Sequence, residues 1–517
     1  MTALLHCASS FSFLTGTLPL RRLCERAVEA GILHLGLCDW GGLYGIPQFA
    51  HEADRVGLHA LHGVELGLDA NRLFALARDE AGFRSLCRLV SGYRMSELEE
   101  REEEEADAGL LLSLLRRHQE GLWLFCDQAP FVERLAAVVD REGLRVALPP
   151  LLGFQRLRRD HGGNEEPRGA RSRAAPLREE LEPATRKVPD PPPPPERERL
   201  QQLAAGLGLG CVAAPWVVYG GPGERALHRL AVAVKKGRLV ERVAEEELAW
   251  PGSFLPTQDE LREGYADRPE LLSEAERIAE SCTLSLTEPR PLVFPSAMGL
   301  TGLSGEAAEE RAAEALSARV GAGLIRLYGR PDGGRPGSAR LAEARARLEH
   351  ELRAIGELGF CGYFLIVDEI VSLARAHGIP CIGRGSAADS LVAYCLGFTD
   401  ADPLHYKLCF ERFLNSERFR CGEGDQLPDI DLDFCWRRRD EMLELVTRRF
   451  GEGHVALLCT QPALGFRAAY REAARAMGPP PWVIFSSRSL RPARGVGSAA
   501  SSWRAGGRET SRCWPAC

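Results

Sequence analysis

A chain of 517 residues is long enough for two or three domains, and its 45% hydrophobic content is ordinary for globular protein with sizeable cores. A formal net charge of −7 excludes a globally basic nucleic-acid binder, so any surface for DNA must be local. The sixteen cysteines contain no Cys-x-x-Cys pair, which argues against zinc ribbons and redox motifs.

Residues 1 to about 90 alternate strand and helix. Leu4 to Cys7 reads as a strand, and Leu20, Leu23, Cys24, Ala27 and Val28 trace a helix face closed by Gly31. His34 to Cys38 is the next strand, ending at Asp39. A helix through Phe49, Ala50 and Ala53 precedes a strand from Leu61 to Leu66. Leu73 to Ala77 and a helix around Phe83 to Leu89 continue the pattern. Repeated strand–helix units imply a parallel sheet or barrel, with polar residues at strand C-termini as site candidates.

Ser96 to Asp107 is an acidic run that reads as a solvated loop or helix face. Residues 156–200, with charge clusters and the run Pro191 to Pro195, have the composition of a disordered or semi-rigid insertion. Pattern resumes at Leu200 to Val218, followed by helical segments Leu227 to Val234 and Glu270 to Ser281. The prolines between Pro289 and Pro295 mark a domain boundary. Leu341, Leu348, Leu352 and Ile355 form the buried stripe of a long helix, Leu341 to Leu358, which Gly359 stops. Tyr363 to Ala376 is apolar and helical in its second half. Cys7, Cys38, Cys395 and Cys409 sit in apolar runs and read as reduced core residues. With neither a signal peptide nor an apolar span of about 20 residues, a cytoplasmic location without membrane association is expected.

Two stretches carry chemistry. At Ile379 to Ala388 a short strand runs into a Gly383-Arg384-Gly385-Ser386 turn, and a helix is expected from Ala387 to about Leu396. Glycines permit close backbone approach, a helix N-terminus favours an anion, Ser386 would cap it and Arg384 would clamp a phosphate. The turn is neither a Walker loop nor a dinucleotide fingerprint. Downstream, Pro428-Asp429-Ile430-Asp431-Leu432-Asp433-Phe434 alternates acidic and apolar residues with the strand period. Ile430, Leu432 and Phe434 would enter the core. Asp429, Asp431 and Asp433 would line the other face, their Cα atoms roughly 6.5–7 Å apart in succession. Such carboxylates suit two Mg²⁺ ions with substrate phosphates, or they are only a solvated edge that discourages strand pairing. A calcium loop is excluded, because Phe434 stands where its glycine must be. Between the two stretches, Phe410 to Arg418 brings Arg412 and Arg418 as candidates for a triphosphate or a template backbone, or as members of a surface ion-pair network. After the acidic strand, Arg437 to Arg439 precede a helix with the stripe Met442, Leu445, Val446 and Phe450.

At Gly362 to Val367, Gly383 to Ala388, Phe410 to Arg418 and Pro428 to Phe434, the chain resembles the bacterial C-family DNA polymerases, the polymerase III alpha-subunit group. Ile379-Pro380-Cys381, Leu5-His6-Cys7 and Ser9 to Leu14 make it most similar to the error-prone, translesion branch. The resemblance implies an α/β chain. Residues 1–288 would form a distorted (β/α) barrel of the polymerase-and-histidinol-phosphatase type, with 156–200 as its insertion. Residues 289–435 would be a partial polymerase-beta-like palm (α+β), and 436–478 the start of a helical thumb. It further implies DNA-directed DNA synthesis in damage tolerance, with Asp429 and Asp431 holding two Mg²⁺ ions and Asp433 supporting. Gly385 and Ser386 would contact the incoming dNTP, with Arg384 and Arg412 nearby. Partners would be primed DNA template, dNTPs and, in the family, a sliding clamp.

Departures from the family pattern are as telling. Of the barrel's metal ligands His6, Asp39 and Glu65 remain, while Ala8, Trp40, Trp216 and Val218 replace the others, so the barrel is expected to be a scaffold without metals. The loop Phe419 to Leu427 is longer than usual. Residues 479–517 lose periodicity and read as a non-family, irregular tail, of the kind that out-of-frame coding would produce. A third catalytic carboxylate, the fingers and the clamp-binding region have no counterpart. The expectation is therefore an error-prone polymerase represented by an incomplete chain, inactive alone. The rivals are a non-catalytic DNA-binding or scaffold fragment and, more remotely, a barrel phosphoesterase using His6, Asp39 and Glu65.

Overall fold

The structure, a computed structural model, describes residues 2–67, 71–96, 104–150, 196–287, 306–329, 337–414, 429–451, 453–458 and 463–478. The proline-marked boundary at 289–295, the insertion up to residue 195, Asn415 to Pro428 and the tail from 479 lie outside them. Among the described residues no helix is long and apolar enough to cross a membrane. The chain divides into two compact units, Met1–Pro289 with Thr460–Pro492, and Arg290–Cys459 with Ala493–Cys517.

The first unit is built on a seven-stranded sheet in chain order. Strand β1 (Ala3–Cys7) leads to helix α1 (Leu20–Glu29), β2 (His34–Trp40), α2 (Ile46–Val56), β3 (His59–Leu66) and β4 (Leu73–Ala77). Helices α3 (Glu80–Ser96) and α4 (Glu104–Arg117) precede β5 (Leu122–Cys126), α5 (Ala129–Ala136) and β6 (Leu144–Leu148). Then come α6 (Glu196–Leu207), β7 (Gly210–Ala213), α7 (Arg225–Lys235), α8 (Gln258–Gly264) and α9 (Glu270–Glu280). The expected all-parallel order needs one correction: β4 runs antiparallel to both β3 and β5. Leu66 and Leu73 are too close in sequence for the crossover that a parallel pair requires, so the chain turns back as a hairpin.

Alternation divides the strand residues between two cores. Leu4, Leu35, Leu37, Val64 and Ala75 face the helices, packed on Leu23, Phe49 and Leu86. Ala3, Leu5, Leu61, Leu76, Phe125 and Val212 face inward against Ala275, Ile278 and Ala279 of α9. Helix α9 touches both β1 and β7, and main-chain bonds Ala8 N to Val217 O (2.8 Å) and Val217 N to His6 O (3.0 Å) carry the sheet towards closure. This is the distorted α/β barrel. The acidic run is not wholly solvated: Asp107 is buried and accepts from Tyr93 Oη at 2.9 Å.

In the second unit α10 (Glu306–Tyr328), α11 (Gly337–Glu357), α12 (Cys361–Ala376) and α13 (Leu391–Leu396) share one core. Helix α12 is helical from Cys361, not only in its second half. Its residues are buried on several sides, which erases the period that would have marked it. Strands β8 (Cys381–Arg384) and β9 (Asp431–Phe434) pair antiparallel, and α14 (Arg439–Phe450) packs through Met442 on Ala374 and Ile379. Cys395 is buried as expected, whereas Cys409 is exposed because its loop leaves the core. The last described helix, α15 (Phe466–Met477), belongs to the first unit, where Ala476 joins Val232 and Ala233 of α7.

Two histidines on β2 and β3, His34 and His62, make the first unit acid-sensitive. His34 and His59 are register partners with their Nδ1 atoms 2.8 Å apart. His62 is buried against Phe49, and burial pushes its pKa down to about 4; burial and His59 also lower that of His34. The unfolded chain takes up these protons near pH 6.5, so stability is present above that pH and is lost as pH falls towards 4. His62 alone should cost about 2 kcal/mol between about pH 8 and pH 5. Thermal melting of His62→Phe should lose that part of the pH dependence; an unchanged slope would refute the assignment.

Candidate active site

The pairing of β8 with β9 brings the glycine turn and the acidic strand together. Arg384 is opposite Asp431, and Ile382 is opposite Asp433. Ile430 and Leu432 pack on the core of α12 and α13, and Phe434 packs near Met442. The carboxylates take the other face: Asp429 and Asp433 are exposed and Asp431 is half-buried. Asp429 precedes the strand instead of lying in it.

Gly385 has φ +74°, and a Cβ there would stand 3.3 Å from Asp431 Oδ2, so a side chain would be strained and would crowd the carboxylate. Gly383 has no room either, since a Cβ would meet the Phe398 carbonyl oxygen at 2.4 Å. Arg384 Nε donates to Asp433 Oδ1 at 3.0 Å. Among the described residues Asp429 and Asp431 form no ion pair.

The expected helix from Ala387 and the cap by Ser386 are both corrected. Gly385–Asp389 is a 3₁₀ turn, and Ser390, extended at φ −90° and ψ 128°, caps α13 by accepting from Ala393 N at 3.2 Å. Ser386 stays exposed on the turn. Arg412 is largely exposed, with Nη1 3.8 Å from Asp389 Oδ2. Arg418 and the loop Phe419 to Leu427 lie outside the described residues.

Two residues that sequence reading passed over hold this turn. Glu351 on α11 is fully buried and accepts from Arg347 Nε (2.9 Å), Ser390 Oγ (2.8 Å) and Val392 N (3.1 Å). Arg347 Nη2 donates to the Asp389 carbonyl at 2.8 Å. The signal was present, because Glu351 falls three residues after Leu348 and four before Ile355, on the buried stripe.

In the barrel, the three remnants do not converge. His6 Nε2 donates to Glu65 Oε2 at 2.9 Å, and Arg72 Nη1 is 3.5 Å from Glu65 Oε1. Burial would raise the Glu65 pKa, but the His6 bond and the charges of His6, Arg72 and Lys235 outweigh it and hold the carboxyl below its usual range. Asp39 instead accepts from the backbone N–H and the hydroxyl of both Ser9 and Ser12, at 2.7–3.1 Å. Burial raises its pKa against the pull of those bonds. Phe74 stacks on His6 at 4.0 Å, and Arg72 lies over Trp216 at 4.9 Å. His6, Glu65, Arg72 and Trp216 border a cavity of about 340 Å³. Ala8 and Val218 are buried, and Trp40 lies beneath Arg94 and Lys235. The trinuclear metal set of such barrels does not fit here: Asp39 is committed to two serines, and Arg72 already supplies the cation at Glu65. Among the described residues no group of three or more His, Cys, Asp or Glu could hold a metal ion. No sequence spacing pointed to Arg72, which the β3–β4 hairpin delivers.

Comparison with known proteins matches residues 5–141 to the PHP domain and residues 311–501 to the bacterial DNA polymerase III alpha NTPase domain. The second match runs past residue 477, where the resemblance was expected to stop. The chain is 32% identical over 479 residues to an error-prone DNA polymerase of Symbiobacterium thermophilum, covering 92% of this chain and 41% of that protein. An error-prone DNA polymerase of Corynebacterium efficiens is 30% identical over 93% of this chain and 39% of its own length. The DNA polymerase III subunit alpha of Treponema pallidum is 28% identical over 94% and 39%. The chain thus spans about 40% of the length of the relatives it matches.

Because Arg72 is the counter-cation of a buried carboxylate, Arg72→Ala should destabilise the first unit by about 1–3 kcal/mol. Chelation with EDTA should leave the melting temperature of the unaltered chain where it was. A melting temperature that drops on chelation would show that the barrel depends on metal after all.

Proposed function

We propose that the second unit binds a deoxynucleoside triphosphate for transfer to a primer 3′-hydroxyl, a reading supported by the matches of residues 5–141 to the PHP domain and of residues 311–501 to the bacterial DNA polymerase III alpha NTPase domain, and by the similarity to error-prone DNA polymerases. One observation carries the reading: the β8–β9 register sets the side-chain-free Gly385 beside the Asp431 carboxylate, so phosphate oxygens and a carboxylate-bound cation would share one place.

In this reading Asp429 and Asp431 hold two Mg²⁺ ions, Asp433 orients Arg384, and Gly385 and Ser386 face the triphosphate. Bound Mg²⁺ would favour ionisation of the primer hydroxyl and steady the charge developing on the departing pyrophosphate. Gly385 keeps its backbone close to the phosphates at no steric cost, and the exposed Ser386 hydroxyl offers a neutral donor. Arg384, tethered by Asp433, and Arg412, tethered only loosely by Asp389, supply positive charge. Nucleotidyl transfer forms a bond from the 3′-oxygen to the α-phosphorus and breaks the one to the pyrophosphate oxygen. Primed template DNA and dNTPs are the substrates implied, with synthesis across damaged template as the setting. The barrel, with Glu65 neutralised by Arg72, serves as a scaffold.

Binding of Mn²⁺ as a Mg²⁺ probe, followed by electron paramagnetic resonance, tests the site. Asp431→Asn should weaken it on the order of tenfold or more, and Asp433→Asn should change it little. Equal Mn²⁺ affinity in Asp431→Asn and the unaltered chain would remove the metal-binding role.

A further inference from the structure

We infer that Arg347 and Glu351 are positioning residues for the phosphate-binding turn, acting through its far end; this rests on the triphosphate reading above. The turn Gly385–Asp389 hangs between two fixed points. Upstream, Arg384 is held in register opposite Asp431. Downstream, the turn closes on itself through the main-chain bond from Ser390 N to Ala387 O at 3.2 Å, but the helix proper starts only at Leu391.

The missing constraint comes from α11. Glu351 has no solvent exposure, and its Oε2 gathers the Ser390 hydroxyl and the Val392 N–H, the first groups after the turn. Its Oε1 accepts from Arg347 Nε, and the second arm of that guanidinium reaches the carbonyl of Asp389, the last residue of the turn. Three consecutive features are therefore tied to one buried ion pair: the end of the turn, the cap and the first helical turn. Asp389 itself is buried, and among the described residues its Oδ2 accepts no hydrogen bond, the exposed Arg412 Nη1 lying 3.8 Å away.

A buried carboxylate is costly unless every oxygen is satisfied, and here both are. That cost is repaid in geometry, since a planar guanidinium bonded at two places leaves the Asp389 carbonyl almost no freedom. With both ends fixed, Gly385 and Ser386 keep their distance from Asp431. Releasing the downstream end would leave the carboxylates intact and let the phosphate turn drift.

The test separates the two functions in the full chain. Mn²⁺ affinity reports on Asp429 and Asp431, and equilibrium dialysis with dATP and Mg²⁺ reports on the turn. Arg347→Ala should weaken dATP binding on the order of tenfold or more, with Mn²⁺ affinity held within about twofold. Arg347→Lys keeps the charge beside Glu351 but loses the arm to Asp389, and should bind dATP as weakly as the alanine variant. Glu351→Gln is the more direct change, but it risks the fold, so melting curves accompany all three. Full dATP binding by Arg347→Lys or Arg347→Ala would overturn the inference while leaving the triphosphate reading intact. Parallel loss of Mn²⁺ and dATP binding with a lowered melting temperature would also overturn it, as collapse and not positioning. If the unaltered chain binds Mn²⁺ but no dATP, the triphosphate reading itself falls, and this inference with it.

Discussion

Everything assigned to the second unit depends on one pair of short strands. Cys381–Arg384 and Asp431–Phe434 are far apart in sequence, and only their antiparallel ladder makes a glycine turn and a carboxylate row into one place. A slip of one residue would turn Asp431 towards the core and Leu432 towards solvent. Ile430, Leu432 and Phe434 prevent the slip by burying against α12, α13 and Met442, so the apolar half of the alternation is what aims the acidic half.

The acidic strand and the glycine turn were legible in the sequence because each carries its own period or its own backbone-specific residue. The stretch beyond the turn was not. In the run Ser386-Ala387-Ala388-Asp389-Ser390-Leu391 more than one residue suits an N-cap, and a tertiary partner, Glu351, decides that Ser390 and not Ser386 becomes the cap. Helix α12 failed differently: its first half, from Cys361 to Val367, is apolar and buried on several sides, so it carried no periodic signal. The direction of β4 was hidden in a short connection, where length and not composition forbids a crossover.

The barrel gives the complementary lesson. His6, Asp39 and Glu65 read alike in sequence, as survivors of one ligand set, yet the fold has given them separate employments. Glu65 keeps His6 and gains Arg72, whereas Asp39 is drawn into the Ser9 to Ser12 loop by four donors. Residue identity alone could not tell a vacated ligand from one with new partners. The decisive neighbours, Arg72 and the two serines, arrive from a hairpin and from a loop that no ligand spacing describes.

Helix α15 closes a circuit that bears on how the molecule is made. Val232, Ala233, Val243 and Leu248 form a small apolar patch in the first unit that Ala476 completes, and the stretch Arg290–Cys459 of the second unit is translated in between. At about 5–20 residues per second, the ribosome delivers Phe466–Met477 some tens of seconds after α7 has left the exit tunnel. For that interval the nascent chain carries this patch without its Ala476 cover. Part of the first unit's packing thus waits on a helix translated after residues 290–459.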